Sequence, residues 1–315
     1  MSYLKTLVTL VLVILSVNLL YAQRQTNPGF YHIAMGRYHV VALSDGTVPI
    51  PVAQLLPVKN RIHLQRLLSE HYLTDTVEIS VNAYLIIDSP RIVLVDAGAG
   101  TLFQPHAGRL QESLASAGYQ PADITDVLIT HVHVDHSGGL IRENKMMFPN
   151  AMVHVNKKEL DFWKENRQPR PGEPNGVTIN RPAFLALEPY ELNGRIKPFV
   201  GNSEIFPGMN SIEKTGHTAG HTIFQLRDTP LNIIFLGDLV HLEQVQLPAP
   251  SLPDAFDFDQ VDGARQRLSS YGQFASENYI IAAAHISFPG FGRIAAKSGN
   301  YAWVPLPYSM QGVLY

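Results

Sequence analysis

The sequence predicts an α/β chain with layered sheets. Two observations carry that expectation. Short, wholly apolar runs recur along the chain, and each ends in a polar residue with Gly or His close by. Runs of four to six apolar residues suit strands buried on both faces. Between them lie amphipathic stretches with helical spacing, and strand–helix alternation is the mark of layered α/β architecture.

The elements follow in order. "RIVLVDAGAG" reads as a strand ending at Asp96, and Arg109–Ala117, "RLQESLASA", as a helix stopped by glycine. "DVLITHVHVDH" is a strand running to His131, and "AMVHVN" a strand after the turn "FPN". Helices are expected from Lys157, "KKELDFWKEN", and from Gln260, "QVDGARQRLSSYGQFA". "SIEKTGHTAGH" runs to His217, "NIIFLGD" ends at Asp238 and "NYIIAAAH" at His285. The Pro-rich stretches "QPRPGEPNG" and "QLPAPSLPDAF" are expected to be surface loops.

Residues 1–22 differ from the rest. One Lys precedes the apolar run "TLVTLVLVILSVNLL", and Ala22 closes it, which is the pattern of a secretory signal peptide. The run is short for a membrane span of ~20 residues. The expected organisation is therefore a signal peptide, 1–22, and a single domain, 23–315, in the periplasm or the medium, with no stable membrane anchor after cleavage. There is no cysteine, so no disulfide and no lipid-acceptor thiol. A net charge of −3 and the lack of a basic run give no reason to expect nucleic acid as a partner.

The chemistry concentrates in "THVHVDHSGG", Thr130–Gly139. A chain with 13 His in 315 residues would place His-x-His-x-Asp-His by accident about once in a thousand such chains. Neutral imidazoles and carboxylates are the ligands zinc accepts when no thiolate is present. Asp96, His131, Asp238 and His285 each follow a strand end, and loops at one edge of a rigid sheet can converge on one point.

These motifs, "VDAG" at 95–98, "THVHVDH" at 130–136, "TGHTAGH" at 215–221, "LGD" at 236–238 and "AAAH" at 282–285, resemble the metallo-β-lactamase superfamily. The resemblance implies an αββα sandwich, two mixed sheets flanked by helices, with two zinc ions per chain. Carried over residue by residue, His131, His133 and His217 would bind the first metal. Asp135, His136 and His285 would bind the second, and Asp238 would bridge them. His221 and Asp96 are expected to hold the site from behind. His32, His39, His63, His71 and His154 fit no ligand spacing and are expected to be surface or satisfied core residues.

Longer stretches, "ALSDGTVPIPV", "GTLFQPHAGRLQESLASAGYQP", "FPNAMVHVNKKELDFW" and "IIAAAHISFPGFG", resemble the methyl parathion hydrolase and lactonase branch. Members with a metal-binding Cys are excluded by composition, and the flavin-linked members by the His at 133. The branch implies a homodimer and a substrate pocket lined by aromatic residues, matched here by Phe103, Trp163, Phe184 and Phe256. It implies a small neutral ester or lactone as substrate, cleaved by a hydroxide shared between the metals. His241, three residues after Asp238, falls where related lactonases place a proton-bearing side chain near the substrate carbonyl. Asp135 or His241 would handle the proton. Two other readings are a phosphotriesterase using the same site and a catalytically silent metal- or ligand-binding relative.

Overall fold

A computed structural model of the protein describes residues 27–58, 61–169, 175–228 and 230–312. The expected signal peptide, 1–22, lies outside the described residues.

The chain builds two seven-stranded mixed sheets. The first takes β1 (Phe30–Met35), β2 (Tyr38–Pro51), β3 (Thr76–Asp88), β4 (Arg91–Val95) and β5 (Asp126–Leu128), then β8 (Met152–Asn156) and β9 (Ile196–Phe199). A small hairpin, β6 (Ile141–Arg142) and β7 (Lys145–Met146), stands apart. The second sheet runs β10 (Ser203–Phe206), β11 (Met209–Glu213), β12 (Thr222–Asp228), β13 (Leu231–Phe235), β14 (Ile280–Ala282), β15 (Phe291–Lys297) and β16 (Asn300–Pro305). The helices are α1 (Val52–Leu55), α2 (Arg61–Glu70), α3 (Leu110–Ser116), α4 (Val134–Ser137), α5 (Lys157–Glu165), α6 (Asn175–Leu185), α7 (Glu188–Leu192), α8 (Glu243–Gln246) and α9 (Gln260–Glu277).

The apolar runs behave as strands covered on both faces. Along β4, Val93 and Val95 point between the two sheets and meet Phe224, Ile233 and Phe235 of the second. Leu94 points the other way, into a core with Leu110, Leu114, Leu160, Trp163 and Phe184. In the second sheet Ile233 and Phe235 face inward, whereas Ile234 packs outward against Tyr271 and Phe274 of α9. Alternation at period two thus feeds three apolar layers, which makes the order helix, sheet, sheet, helix. Each such buried side chain contributes about 1.5–3 kcal/mol.

Strand direction places the site. β4 runs parallel to β5, and β13 parallel to β14, so each pair ends at a common edge. β12 runs antiparallel to β13, which brings the turn before Thr222 to the end of β13. All five chain segments carrying the sequence motifs therefore leave the sheets on one side. The Lys157 and Gln260 helices form as expected. Asn156 caps the first, accepting from the Lys158 amide at 2.9 Å, and Asp259 caps the second. The long β2–β3 pairing, and the helix at 175–185, which begins in the last two residues of the loop expected at 168–176, are additions to the sequence expectation.

Candidate metal centre

At the common edge the motifs meet. Ligand atoms of His131, His133, His217 and Asp238 lie within 4.8 Å of one another, as do those of Asp135, His136 and His285. Asp238 stands between the two groups. Its Oδ2 is 3.1 Å from His217 Nε2 and 3.4 Å from His131 Nε2. Its Oδ1 is 3.1 Å from His136 Nε2 and 3.2 Å from His285 Nε2. Asp135 Oδ2 lies 3.6 Å from His285 Nε2. Apart from the partly exposed Asp135, these side chains are buried.

The outer nitrogens of four imidazoles are already committed, whereas His133 turns Nδ1 inward, 3.1 Å from His217 Nε2. His136 Nδ1 donates to Asp96 Oδ2 at 2.8 Å, and His285 Nδ1 to the Ser80 carbonyl at 2.8 Å. His217 Nδ1 donates to Asp257 Oδ1 at 3.1 Å. His131 Nδ1 donates to the Thr130 hydroxyl at 3.1 Å, and that hydroxyl donates on to Asp96. In the neutral tautomer each Nε2 therefore points inward as a bare lone pair. These lone pairs face each other: His131 and His217 at 3.2 Å, His136 and His285 at 3.3 Å. Asp238 Oδ1 and His133 Nε2 are buried with no hydrogen-bond partner among the described residues. Facing lone pairs and an orphaned carboxylate oxygen fit a cation, so these residues suit divalent metal.

The electrostatics agree. Burial and the neighbouring imidazoles hold His131 and His133 well below the usual histidine range. Burial alone would also lower His217, but Asp238 and Asp257 outweigh it and push it up to about 9.

His221 is not aimed at the cluster. Its Nδ1 donates to the Lys214 carbonyl at 3.0 Å, and its Nε2 accepts the Asp238 amide at 3.0 Å. Asp96 likewise works from behind, on Thr130 and His136. Gly237, at φ 54°, passes so close that a Cβ there would lie 2.5 Å from His221 Nε2.

His241 Nε2 is 3.1 Å from Asp238 Oδ2, and its ring stacks on His285 with centroids 4.9 Å apart. Its Nδ1 donates to Asp254 Oδ2 at 2.8 Å, and Gln246 also donates to that oxygen. Sequence reasoning missed Asp254, Asp257 and the buried Arg267, whose Nη1 donates to Asp257 at 2.8 Å. The one available signal was "DAFDFD", three acids interleaved with two aromatics in a loop.

Above the cluster opens a cavity of about 820 Å³. His133, Asp135, Asp238, His241 and His285 form its polar floor. Val48, Ile50, Ile79 and Val81 of the β2–β3 hairpin make one wall; Phe103, Phe162, Phe256 and Phe258 close the others. No Lys or Arg lines it among the described residues.

Phe103 and Phe256 are thus on the cavity, but Trp163 and Phe184, expected there, are not. Trp163 is wholly buried in the helix-side core, its indole N–H donating to Glu159 Oε2 at 3.2 Å. Phe184 packs in the same core. On α5 the spacing of three from Leu160 to Trp163 sets both on the core face, while Phe162, about 100° round the helix, turns to the cavity. Phe258, unassigned from sequence, packs 5.4 Å from Phe162 and 5.7 Å from His133. His154 is a satisfied buried residue, paired with Asp126 at 2.7 Å.

A four-layer sandwich with a His/Asp cluster at one edge of both sheets defines a class of metallohydrolase. The family model for the metallo-beta-lactamase superfamily matches residues 76–278, and the chain belongs to that superfamily. The fold is similar to hydrolase AbOPH of the beta lactamase superfamily, with TM-score 0.85 and 30% identity over 90% of this chain and 100% of that one. It is also similar to AidC, a dizinc quorum-quenching lactonase, in complex with its product N-hexanoyl-L-homoserine. There the TM-score is 0.80, with 25% identity over 89% of this chain and 98% of AidC. Among curated proteins, a ribonuclease of Thermus thermophilus is 25% identical over 191 residues, 59% of this chain and 41% of the ribonuclease. The chain spans about half the length, or less, of the curated relatives it matches.

Proposed function

We propose that the protein is an exported dizinc hydrolase that opens lactones or cleaves neutral esters. The observation that carries this reading is the cavity, with an apolar and aromatic wall over a His/Asp floor and no cationic side chain among its described lining residues. Such a wall takes up an uncharged substrate with an apolar body, whereas a phosphomonoester or an RNA backbone needs Arg or Lys to hold its charge. The similarity to a dizinc lactonase over most of both chains supports the same reading.

In this reading His131, His133 and His217 would hold one metal and Asp135, His136 and His285 the other, with Asp238 shared between them. When bound, the pair supplies Lewis-acid polarisation of the carbonyl and activation of water at neutral pH. The rest falls to the side chains. Phe256 and Phe258 exclude water from the floor and hold the substrate body. Asp254 fixes the His241 ring through Nδ1, and Nε2, 3.1 Å from Asp238 Oδ2 at the cavity floor, takes up the proton released by the attacking water. His241 then delivers the proton from Nε2 to the oxyanion or the departing alkoxide. Asp135, at the floor, is the second group able to carry a proton.

The test is the purified, zinc-loaded protein against an acyl-homoserine lactone, dihydrocoumarin, a phenyl ester, a dialkyl nitrophenyl phosphate and a single-stranded RNA. Turnover of lactone or ester with the highest kcat/KM supports the reading. Preference for the phosphate makes it a phosphotriesterase, RNA cleavage alone overturns it, and inertness towards all five leaves a binding protein. Export predicts a mature N-terminus at or near Gln23 by N-terminal sequencing; a membrane-bound chain that keeps Met1 would contradict it.

A further inference from the structure

Glu159, in the first turn of α5, is wholly buried, and all its recorded hydrogen-bond partners are donors. Oε2 accepts the Val132 amide at 3.1 Å and the Trp163 indole at 3.2 Å. Oε1 accepts the Gly220 amide at 2.7 Å and the Thr218 hydroxyl. Val132 lies between His131 and His133, and Thr218 follows His217. One carboxylate therefore ties together the two loops that supply every imidazole of the three-histidine group. Glu159 makes no direct hydrogen bond to Asp135, His136 or His285; His136 and His285 have their own supports in Asp96 and the Ser80 carbonyl, although Asp135 and His136 share the His131 loop. The docking is close: a Cβ on Gly220 would lie 2.8 Å from the Glu159 nitrogen.

We propose that Glu159 is a positioning residue that sets the spacing of His131, His133 and His217, and with it chiefly the zinc affinity of that half of the site. The inference rests on the ligand assignment made above. Its physical basis is the donor count. Glutamine at this position keeps the volume but turns one oxygen into an NH2 group, so one of the two donor pairs meets another donor. The loop on that side loses its anchor, and the three imidazoles lose their common distance. Losing such a supporting partner lowers metal affinity about 10- to 100-fold. The other half of the site keeps its own supports.

The test measures zinc affinity of the full chain by competition with a chromophoric chelator, in two backgrounds. His285→Ala cripples the Asp135 half and His217→Ala the three-histidine half. Glu159→Gln is expected to weaken zinc binding about 10- to 100-fold in the His285→Ala background and less than about threefold in the His217→Ala background. Thr218→Val removes a single donor and should show the same asymmetry at smaller size; it carries the comparison if Glu159→Gln does not fold. Equal weakening in both backgrounds means general loosening and overturns the proposal, as does no weakening in either. Failure of the wild type to take up two zinc ions overturns the ligand assignment as well. A wild type that binds two and hydrolyses lactone, beside a Glu159→Gln protein with unchanged affinities, overturns only the role of Glu159.

Discussion

At His221 the Nδ1–H donates to the Lys214 carbonyl and Nε2 accepts the Asp238 amide, so both nitrogens are used before any cation arrives. Burial and the neighbouring His217 lower its pKa to about 3, which keeps it the neutral acceptor this role requires. Replacing His221 by Ala orphans a buried amide and should cost about 1–3 kcal/mol in urea unfolding. Zinc content under saturating metal should stay near two per chain. Asp238→Ala, which removes the carboxylate between both groups, should lose metal and turnover; equal metal loss in the two variants would mean that His221 is itself a ligand. His241 differs, because it lines the floor of the cavity, with Nε2 beside the Asp238 carboxylate rather than behind it. His241→Leu should lower kcat/KM on a lactone about 10²- to 10³-fold, or 3–4 kcal/mol, since an alkoxide leaves poorly without a proton. A nitrophenyl phosphotriester, whose phenolate leaves unaided, should change only a few-fold. A similar fall on both substrates, with zinc content intact, would refute a role at the leaving group.

The short strand β5 carries the chain to the His131 loop, and its neighbour β8 fixes its position. Asp126 opens β5, accepts from His154 of β8 at 2.7 Å and from the Thr125 hydroxyl at 2.9 Å, and forms an ion pair with Arg91 at 3.5 Å. Burial would raise the Asp126 carboxyl, but the His154 and Thr125 hydrogen bonds and the Arg91 charge outweigh it and hold it below the usual carboxylate range. A lowered folded value stabilises the protein above the unfolded value of about 3.9, and the contribution is lost as pH falls through the folded value. Asp126→Asn should therefore cost about 1–3 kcal/mol at pH 7 in urea titrations, and the gap should close as the solution is acidified through the folded value. A gap that persists undiminished in acid would assign the effect to packing rather than to charge.

Across the whole molecule the cluster joins the two sheets. His131, His133, Asp135 and His136 follow β5 of the first sheet; His217, Asp238 and His285 belong to turns of the second. Metal that binds only the folded chain adds stability by mass action, about 2.7 kcal/mol per ion when present at a hundred times its dissociation constant. Chelation should abolish turnover and lower Tm by at least about 5 °C, with both recovered on adding zinc back. A chelated protein with unchanged Tm and unchanged activity would remove metal from the account altogether.

Much of the site was legible because its chemistry is local. His-x-His-x-Asp-His sits on one loop, apolar runs of four to six residues announce the strands behind it, and the polar residue past each strand end marks the edge where ligands gather. The helices at Lys157 and Gln260 were legible for the same reason, through caps and spacing within one turn. Side-chain direction and distant pairing were not. Phe162 rather than Trp163 faces the cavity because the neighbouring core claims the larger ring. Asp254 and Asp257 reach His241 and His217 across 13 and 40 positions. Glu159 meets Gly220 across 61. Such partners depend on how the loops pack against α5 and α9, and no periodicity in the chain encodes a contact between residues that only folding brings together.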